Sequence, residues 1–310
     1  MMKSRHLTPL PRRLFPLALL AALLLTAAAA GAATLDASSP PDTHYGPFGL
    51  LDHRSRYGLF WFPEPLTVEE TDVDNEVRLD WVHQEGKDVI TDEAAVELEK
   101  AFGVTTFELE IPYESESEST TDPVTGERAH EHTRGAGSIE ISVRRPIHQF
   151  VSGNGFFDNT VGAAVEIALP TNSPVSKDTE GVVKVFDALR MGEHFSLQAI
   201  GGYSVLIGPE DGGSRTFEYG ISAGYCLAYQ DLALPHIEQF IPLLELTGES
   251  PLNGEEAGEN ELSGTLGVRA NLDAIGTLQP RLGIGYIFPI DKGARDEFKW
   301  GLVTSLVFEY

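Results

Sequence analysis

LVTSLVFEY, residues 302–310, alternates strictly: Leu302, Thr304, Leu306, Phe308 and Tyr310 fall on one face and Val303, Ser305, Val307 and Glu309 on the other. A period of two with the larger apolar groups on one side predicts a strand between an apolar phase and something wetter. Such a strand, carried to the last residue, needs a pairing partner, because an open edge templates aggregation. Closing the sheet on itself removes the edge.

The same pattern recurs upstream. In TFEYGISAGYCLAY, residues 216–229, Phe217, Tyr219, Ile221, Ala223, Tyr225, Leu227 and Tyr229 oppose Thr216, Glu218, Gly220, Ser222, Gly224, Cys226 and Ala228. One face suits lipid and the other a narrow interior. Phe107, Leu109, Ile111 and Tyr113 oppose Glu108 and Glu110, and Leu282, Ile284, Tyr286 and Phe288 oppose Arg281, Gly283 and Gly285. Twelve strand candidates follow, at 75–85, 93–102, 105–113, 137–145, 159–169, 182–189, 194–207, 216–229, 235–247, 260–272, 277–289 and 298–310. The ninth has apolar residues on both faces and Pro242 within it, so its register is left open. Short connections alternate with longer ones, as in a membrane barrel with short periplasmic turns and longer outer loops. The connection 146–158 is the exception, being long where a short turn is expected. An even strand number puts both ends of the barrel segment on the periplasmic side.

The N-terminus supplies the compartment. Lys3, Arg5, Arg12 and Arg13 precede an apolar run from Leu14 to Leu25, and Ala30-Gly31-Ala32 offers small residues at cleavage spacing. This layout predicts a secretory signal peptide over 1–33; the rival reading is a membrane anchor, since the apolar stretch approaches the roughly 20 residues a spanning helix needs. Of 22 Lys and Arg, four lie in that segment, leaving 18 against 47 Asp and Glu and a formal charge of −29. That sign excludes nucleic acid as a partner. The lone Cys226 forms no disulfide within the chain. Residues 34–74, rich in Pro and Ser at first and acidic at the end, predict a loop-rich periplasmic arm or plug, in which Leu59, Phe60, Trp61 and Phe62 are apolar enough to pack at a barrel mouth.

Three stretches carry a family resemblance: AAVELEKAFGVTTFELEIPYE at 94–114, GAGSIEISVRRPI at 135–147 and VGAAVEIALPT at 161–171. With them, residues 75–310 resemble the MetA-pathway-of-phenol-degradation, transporter-like family of bacterial outer-membrane barrels. The resemblance implies passage of small solutes, aromatic or otherwise hydrophobic. Where the family often has Pro-Thr-Gly, this chain has Pro170-Thr171-Asn172. The alternating end Leu302, Thr304, Leu306, Phe308 and Tyr310 likewise resembles the signal read by the outer-membrane barrel assembly machinery, which the resemblance makes a partner along with outer-membrane lipids and lipopolysaccharide.

The inward faces are expected to place Glu97, Glu99, Glu108, Glu110, Glu140, Arg144, Glu166, Glu218, Arg269 and Arg281 on the lumen wall. Such carboxylates attract cations or polar groups of a solute; the plainer reading, preferred here, is that they pair with wall arginines and fill a narrow barrel. Glu114, Glu116 and Glu118 alternate with serines and read as a solvated mobile loop, or as a surface recruiting divalent cations that bridge to lipopolysaccharide. His130-Glu131-His132 beside Glu127 has metal-binding residue types but no zinc-type spacing, so no metal or other cofactor is expected. Ser196 with His194 and Ser152 with His148 are the serine–histidine pairs to weigh for a lipid hydrolase; neither has a nucleophile-elbow context, and no enzyme is expected. The fold class is therefore all-β, a single antiparallel transmembrane barrel of about 12 strands. The expected role is a passive outer-membrane channel; a non-transporting structural or adhesive barrel is the alternative, and a lipid-modifying enzyme a third.

Overall fold

The computed structural model describes residues 63–310 except 72–74, 103–104, 122–127, 155, 209–212 and 255–256, together with the backbone of 42–45 and 51–54. The expected signal peptide and the residues Leu59, Phe60, Trp61 and Phe62 lie outside the described residues. β1 (Asp42–Tyr45) and β2 (Leu51–Arg54) pair antiparallel within the arm expected to be loop-rich.

The remaining strands are β3 (Glu76–Glu85), β4 (Val89–Phe102), β5 (Thr105–Thr121), β6 (Arg128–Ala136), β7 (Ile139–Val151), β8 (Phe157–Leu169), β9 (Thr179–Met191), β10 (Phe195–Ile207), β11 (Arg215–Tyr225), β12 (Leu227–Ala228), β13 (Ile237–Pro251), β14 (Glu261–Leu272), β15 (Gln279–Pro289) and β16 (Trp300–Glu309). All but β6 and β12 form a closed barrel of twelve antiparallel strands. The barrel closes where β16 pairs with β3, with Leu306 opposite Leu79, and β11 pairs with the next barrel strand, β13, with Ile221 opposite Leu246. Closure pairs the backbone polar groups of every strand, as a lipid environment demands.

The outward face is apolar around the circumference. Leu266, Val185, Leu244, Ile284, Leu282, Leu98 and Ile167 are all exposed, which water would penalise and lipid rewards. Aromatic side chains band this surface at two levels. Phe102, Phe107, Phe150, Phe157 and Tyr225 lie towards the end where β3 begins and β16 finishes, and Trp81, Tyr113, Tyr203, Phe217 and Tyr286 lie towards the opposite end. Two such girdles flank the apolar belt of a membrane barrel. We call the first end proximal and the second distal. Leu302, Thr304, Leu306 and Phe308 face outward on β16, and the Tyr310 amide donates to the Asn75 carbonyl at 2.9 Å.

The structure corrects the sequence reading at four places. The anomalous connection 146–158 disappears, because β7 runs to Val151 and β8 starts at Phe157, with a bulge between Pro146 and His148 that the alternation did not show. Residues 114–121 and 128–136 are paired strands, not a mobile loop: β5 continues past the barrel rim and pairs with β6 from Tyr113–Ala136 to Thr121–Arg128. The eighth strand stops at Tyr225; Leu227–Ala228 pairs separately with Gln239 and Phe240 ahead of a helical turn at Tyr229–Leu232. The ninth strand has apolar residues on both faces because Ile241 and Leu243 point inward into a small dry cluster with Leu66, Ile287, Phe298 and Val303.

Candidate functional site

Residues 63–71 belong to no strand. They form a strap that bends through the lumen immediately before β3 and is fixed to the wall along its length. Both ends meet one side chain, Gln198 of β10: its amide nitrogen donates to the Pro63 carbonyl and its oxygen accepts from the Thr71 hydroxyl at 2.6 Å.

Glu64 is the first anchor. Its carboxylate lies 3.0 Å from Arg269 Nη1, 3.1 Å from Arg281 Nη1 and 3.6 Å from Arg78 Nη1, and all four side chains are almost wholly buried. Arg269 Nη2 also donates to the Pro65 carbonyl at 2.7 Å, and Arg78 Nη2 to the Leu66 carbonyl at 3.3 Å. Burial works to raise the Glu64 carboxyl, but the guanidiniums of Arg269, Arg78 and Arg281 outweigh it and hold the group below its ordinary value. A buried charge cluster gains little net stability, because desolvation costs several kcal/mol per ion, yet removing one partner costs roughly 3–5 kcal/mol. Its effect is to fix position.

Leu66 is the second anchor. It rests against Gly267 and Gly283 of the barrel wall, where an added Cβ would fall 2.3 and 2.5 Å from its methyls; the glycines are what let the strap approach the sheet. Next, Glu245 of β13 caps the turn of the strap. Its carboxylate accepts from the amides of Leu66 at 2.8 Å, Thr67 at 2.7 Å and Val68 at 3.3 Å, from the Thr67 hydroxyl at 2.6 Å and from Ser222 at 3.2 Å. A wall carboxylate thus satisfies three backbone donors that no secondary structure pairs.

The C-terminal part of the strap is held by cations of the opposite wall. Lys184 of β9 bridges Glu69 of the strap and Glu166 of β8, the latter at 2.6 Å. Arg144 of β7 donates to the Glu70 carbonyl at 2.6 Å and pairs with Glu99 at 2.5 Å and Glu108 at 3.8 Å. Between Thr67–Glu69 and the wall of β9, β10, β11 and β13 remains a cavity of about 190 Å³, bordered by Lys184, Ile200, Glu218, Thr247 and Glu249.

All ten expected lumen residues face inward, but the structure divides them. Glu99, Glu108, Arg144, Glu166, Arg269 and Arg281 sit at the level of the strap and are engaged with it or with one another. Glu97, Glu110, Glu140 and Glu218 lie on the distal side. There they join Asp80, Glu93, Glu180 and Glu249; Arg78 borders this group, pairing with Asp80 at 2.6 Å and standing directly opposite Glu97, and Lys184 is set across Gly202 from Glu218, so that acids outnumber cations on this side. Two acidic triplets have mutually close oxygens, Glu64 with Glu70 and Glu76, and Glu97 with Glu99 and Glu108. Arginines of the protein already stand among both.

The sequence reading missed Glu64, Glu245, Lys184, Arg78 and Gln198. Lys184 and Arg78 could have been placed inward by alternation; Glu245 was hidden by the two apolar faces of its strand. Of the proposed serine–histidine pairs, the His194 ring stacks on Tyr225 and binds the Cys226 carbonyl through Nδ1, while the Ser196 hydroxyl faces Gly224 on the inner wall. Ser152 is used within its turn, bonding Asn154 and the Phe157 amide. His130 and His132 instead pair across the hairpin with Ser119 at 2.9 Å and Ser117 at 2.8 Å.

A twelve-stranded closed barrel with two aromatic girdles and a polar lumen has the architecture of an outer-membrane β-barrel. Among solved structures the chain is similar to an outer membrane channel from Pseudomonas putida F1, with a TM-score of 0.53 and 13% identity over 80% of this chain and 100% of that one. It also matches the transport unit of the autotransporter AIDA-I from Escherichia coli, at a TM-score of 0.46 and 12% identity over 80% and 93% of the two chains. The NanC porin matches at 0.43 and 9% over 76% and 98%. Only the first likeness is strong enough to support the fold, and it supports the fold alone. No family model matches the sequence, and no curated protein matches it.

Proposed function

We propose that the protein is a passive outer-membrane channel for small solutes whose conducting path is set by the strap at 63–71. The observation that carries this reading is the division of the lumen: the strap and its cations occupy one level, and an acidic vestibule opens on the distal side. Carboxylates in excess over the cations that border them favour positively charged or neutral solutes over anions. Aromatic or hydrophobic solutes, and membership of the phenol-degradation family, rest on the resemblance of residues 94–114, 135–147 and 161–171. In this reading the signal peptide is cleaved, the proximal end faces the periplasm, lipopolysaccharide surrounds the distal rim, and Leu302 to Tyr310 engage the assembly machinery.

Single-channel recording of the refolded mature protein in planar bilayers tests it. Small cation-selective steps in the wild type, and larger ones when residues 63–71 are replaced by a glycine–serine segment of equal length, are expected. A folded barrel that stays silent in both forms would favour the second reading, a structural or adhesive barrel, to which the filled strap level lends weight. The lipid-enzyme reading receives no such support: no carboxylate shares the face of the hairpin that bears the Ser117–His132 and Ser119–His130 pairs among the described residues.

A further inference from the structure

The hairpin of β5 and β6 sorts its charges by face. In β5 the even positions point inward, as buried Glu108 and Pro112 do, and the odd positions point outward with Phe107, Ile111 and Tyr113. The register with β4 is unbroken through Glu118, and that with β6 through Thr121. Beyond the rim, therefore, Glu114, Glu116, Glu118 and their cross-strand neighbour Glu131 continue the inner face, above the lumen mouth. Arg128, His130, His132 and Arg134 all fall on the outer face, opposite Thr121, Ser119, Ser117 and Ser115. All four are exposed. In a chain whose formal charge is −25, four successive outward positions carry every basic side chain of the hairpin and no acid. On the neighbouring β4, Asp92 is directly opposite Ser115 and lies 2.9 Å from His83 Nδ1.

The outer face is continuous with the lipid-facing band: Tyr113 of the distal girdle is directly opposite Ala136, and Arg134 follows two residues before it on the same face. Moving outward from the apolar belt, the next chemistry met by this surface is that of the lipid headgroups. Each histidine is tied to a serine of β5, His132 Nδ1 to Ser117 at 2.8 Å and His130 Nδ1 to Ser119 at 2.9 Å, and in the tautomer in which the serines donate, each ring carries its proton on Nε2. We propose that Arg128, His130, His132 and Arg134 form a docking strip for the phosphorylated glycolipid headgroups of the outer leaflet. Two arginines supply forked donors matched to phosphate oxygens, and the histidines supply single donors between them. The idea of the acids Glu114, Glu116 and Glu118 recruiting bridging cations at the lipid surface gives way, since those side chains face the lumen mouth.

The inference rests on the outer-membrane reading but not on transport, and its test is independent of conductance. The full mature barrel, with folding checked by heat-modifiable mobility, is titrated in detergent with bisphosphorylated lipid A and with its dephosphorylated form. The variants are Arg128→Ala with Arg134→Ala, His130→Ala with His132→Ala, and the inner-face control Glu116→Gln with Glu118→Gln. Wild type and control are expected to prefer the phosphorylated lipid, and the arginine pair to lose about thirtyfold in that preference, a factor of roughly five for each arginine near an anionic lipid surface. The histidine pair is expected to lose less, and inorganic phosphate to compete only weakly. Equal binding of the two lipids by the wild type, or an unchanged preference in the arginine variant, would overturn the proposal; displacement by millimolar inorganic phosphate would also overturn it, by making the site one for a free anion.

Discussion

The two levels of the lumen are built from the same residue types and behave oppositely. At the strap level the inward acids are compensated: Glu64 has Arg78, Arg269 and Arg281, Glu166 and Glu69 share Lys184, Glu99 has Arg144, and Glu245 takes the strap's amides. On the distal side Glu93, Glu110, Glu140, Glu218 and Glu249 line the wall in excess of the two cations that border them, Arg78 and Lys184. Compensated charge at the first level positions a segment of chain; uncompensated charge at the second is left to act on whatever enters. Carboxylates on a barrel wall thus have no single meaning, and the placing of a few basic residues decides between structure and selectivity.

The largest expected break in that contrast is Glu64→Gln. It leaves three buried guanidiniums facing one another, costs roughly 3–5 kcal/mol of strap seating, and is expected to raise single-channel conductance towards that of the strap-replaced protein. Unchanged conductance would show that the strap does not set the path. Acid should imitate this change. Because seating holds the Glu64 carboxyl below its ordinary 4.5, the seated form is favoured at any pH above that value and loses its advantage as the pH falls below it. Open probability is therefore expected to be flat from pH 8 to 5 through this group and to rise below 4.5, and Glu64→Gln should abolish the rise.

Glu245→Leu comes next. It strips the strap of its amide acceptor, and leaving a buried donor unpaired costs about 1–3 kcal/mol, so hydrogen exchange at Leu66 and Thr67 should quicken by about tenfold or more. Glu110→Gln with Glu140→Gln addresses the other level: the cation-to-anion permeability ratio should fall while exchange at Leu66 is unmoved. A change in both would mean the levels are coupled. The smallest effect belongs to Gly220→Ala, whose Cβ would stand 3.0 Å from Val68; a shift of a few tenths of an ångström absorbs it, and a loss below about 1 kcal/mol is expected in urea unfolding.

All twelve barrel strands were legible because the period of two is written locally, residue beside residue. Where polarity was the same on both faces the signal failed, as in the Glu–Ser alternation at 114–119, which is itself a strand but offers no apolar side to recognise it by. The inward direction of Glu97, Glu110 or Arg269 follows from alternation alone. The strap does not: residues 63–71 have no period, and apart from Arg78 of the next strand the side chains that hold them, from Arg144 to Arg281, lie far along the chain. The inward apolar pair Ile241 and Leu243 was ambiguous for the same reason, since the apolar residues clustered with them, Leu66, Ile287, Phe298 and Val303, come from other parts of the chain.

The three arginines around Glu64 come from β3, β14 and β15, on both sides of the seam where β16 meets β3. Before that seam zips, Arg78 and the Arg269–Arg281 pair stand at opposite margins of an open sheet, and Glu64 can meet one group but not the other. Full docking of the strap is therefore a coincidence test for completed closure: the lumen receives its internal lock only in a barrel whose first and last strands have found each other.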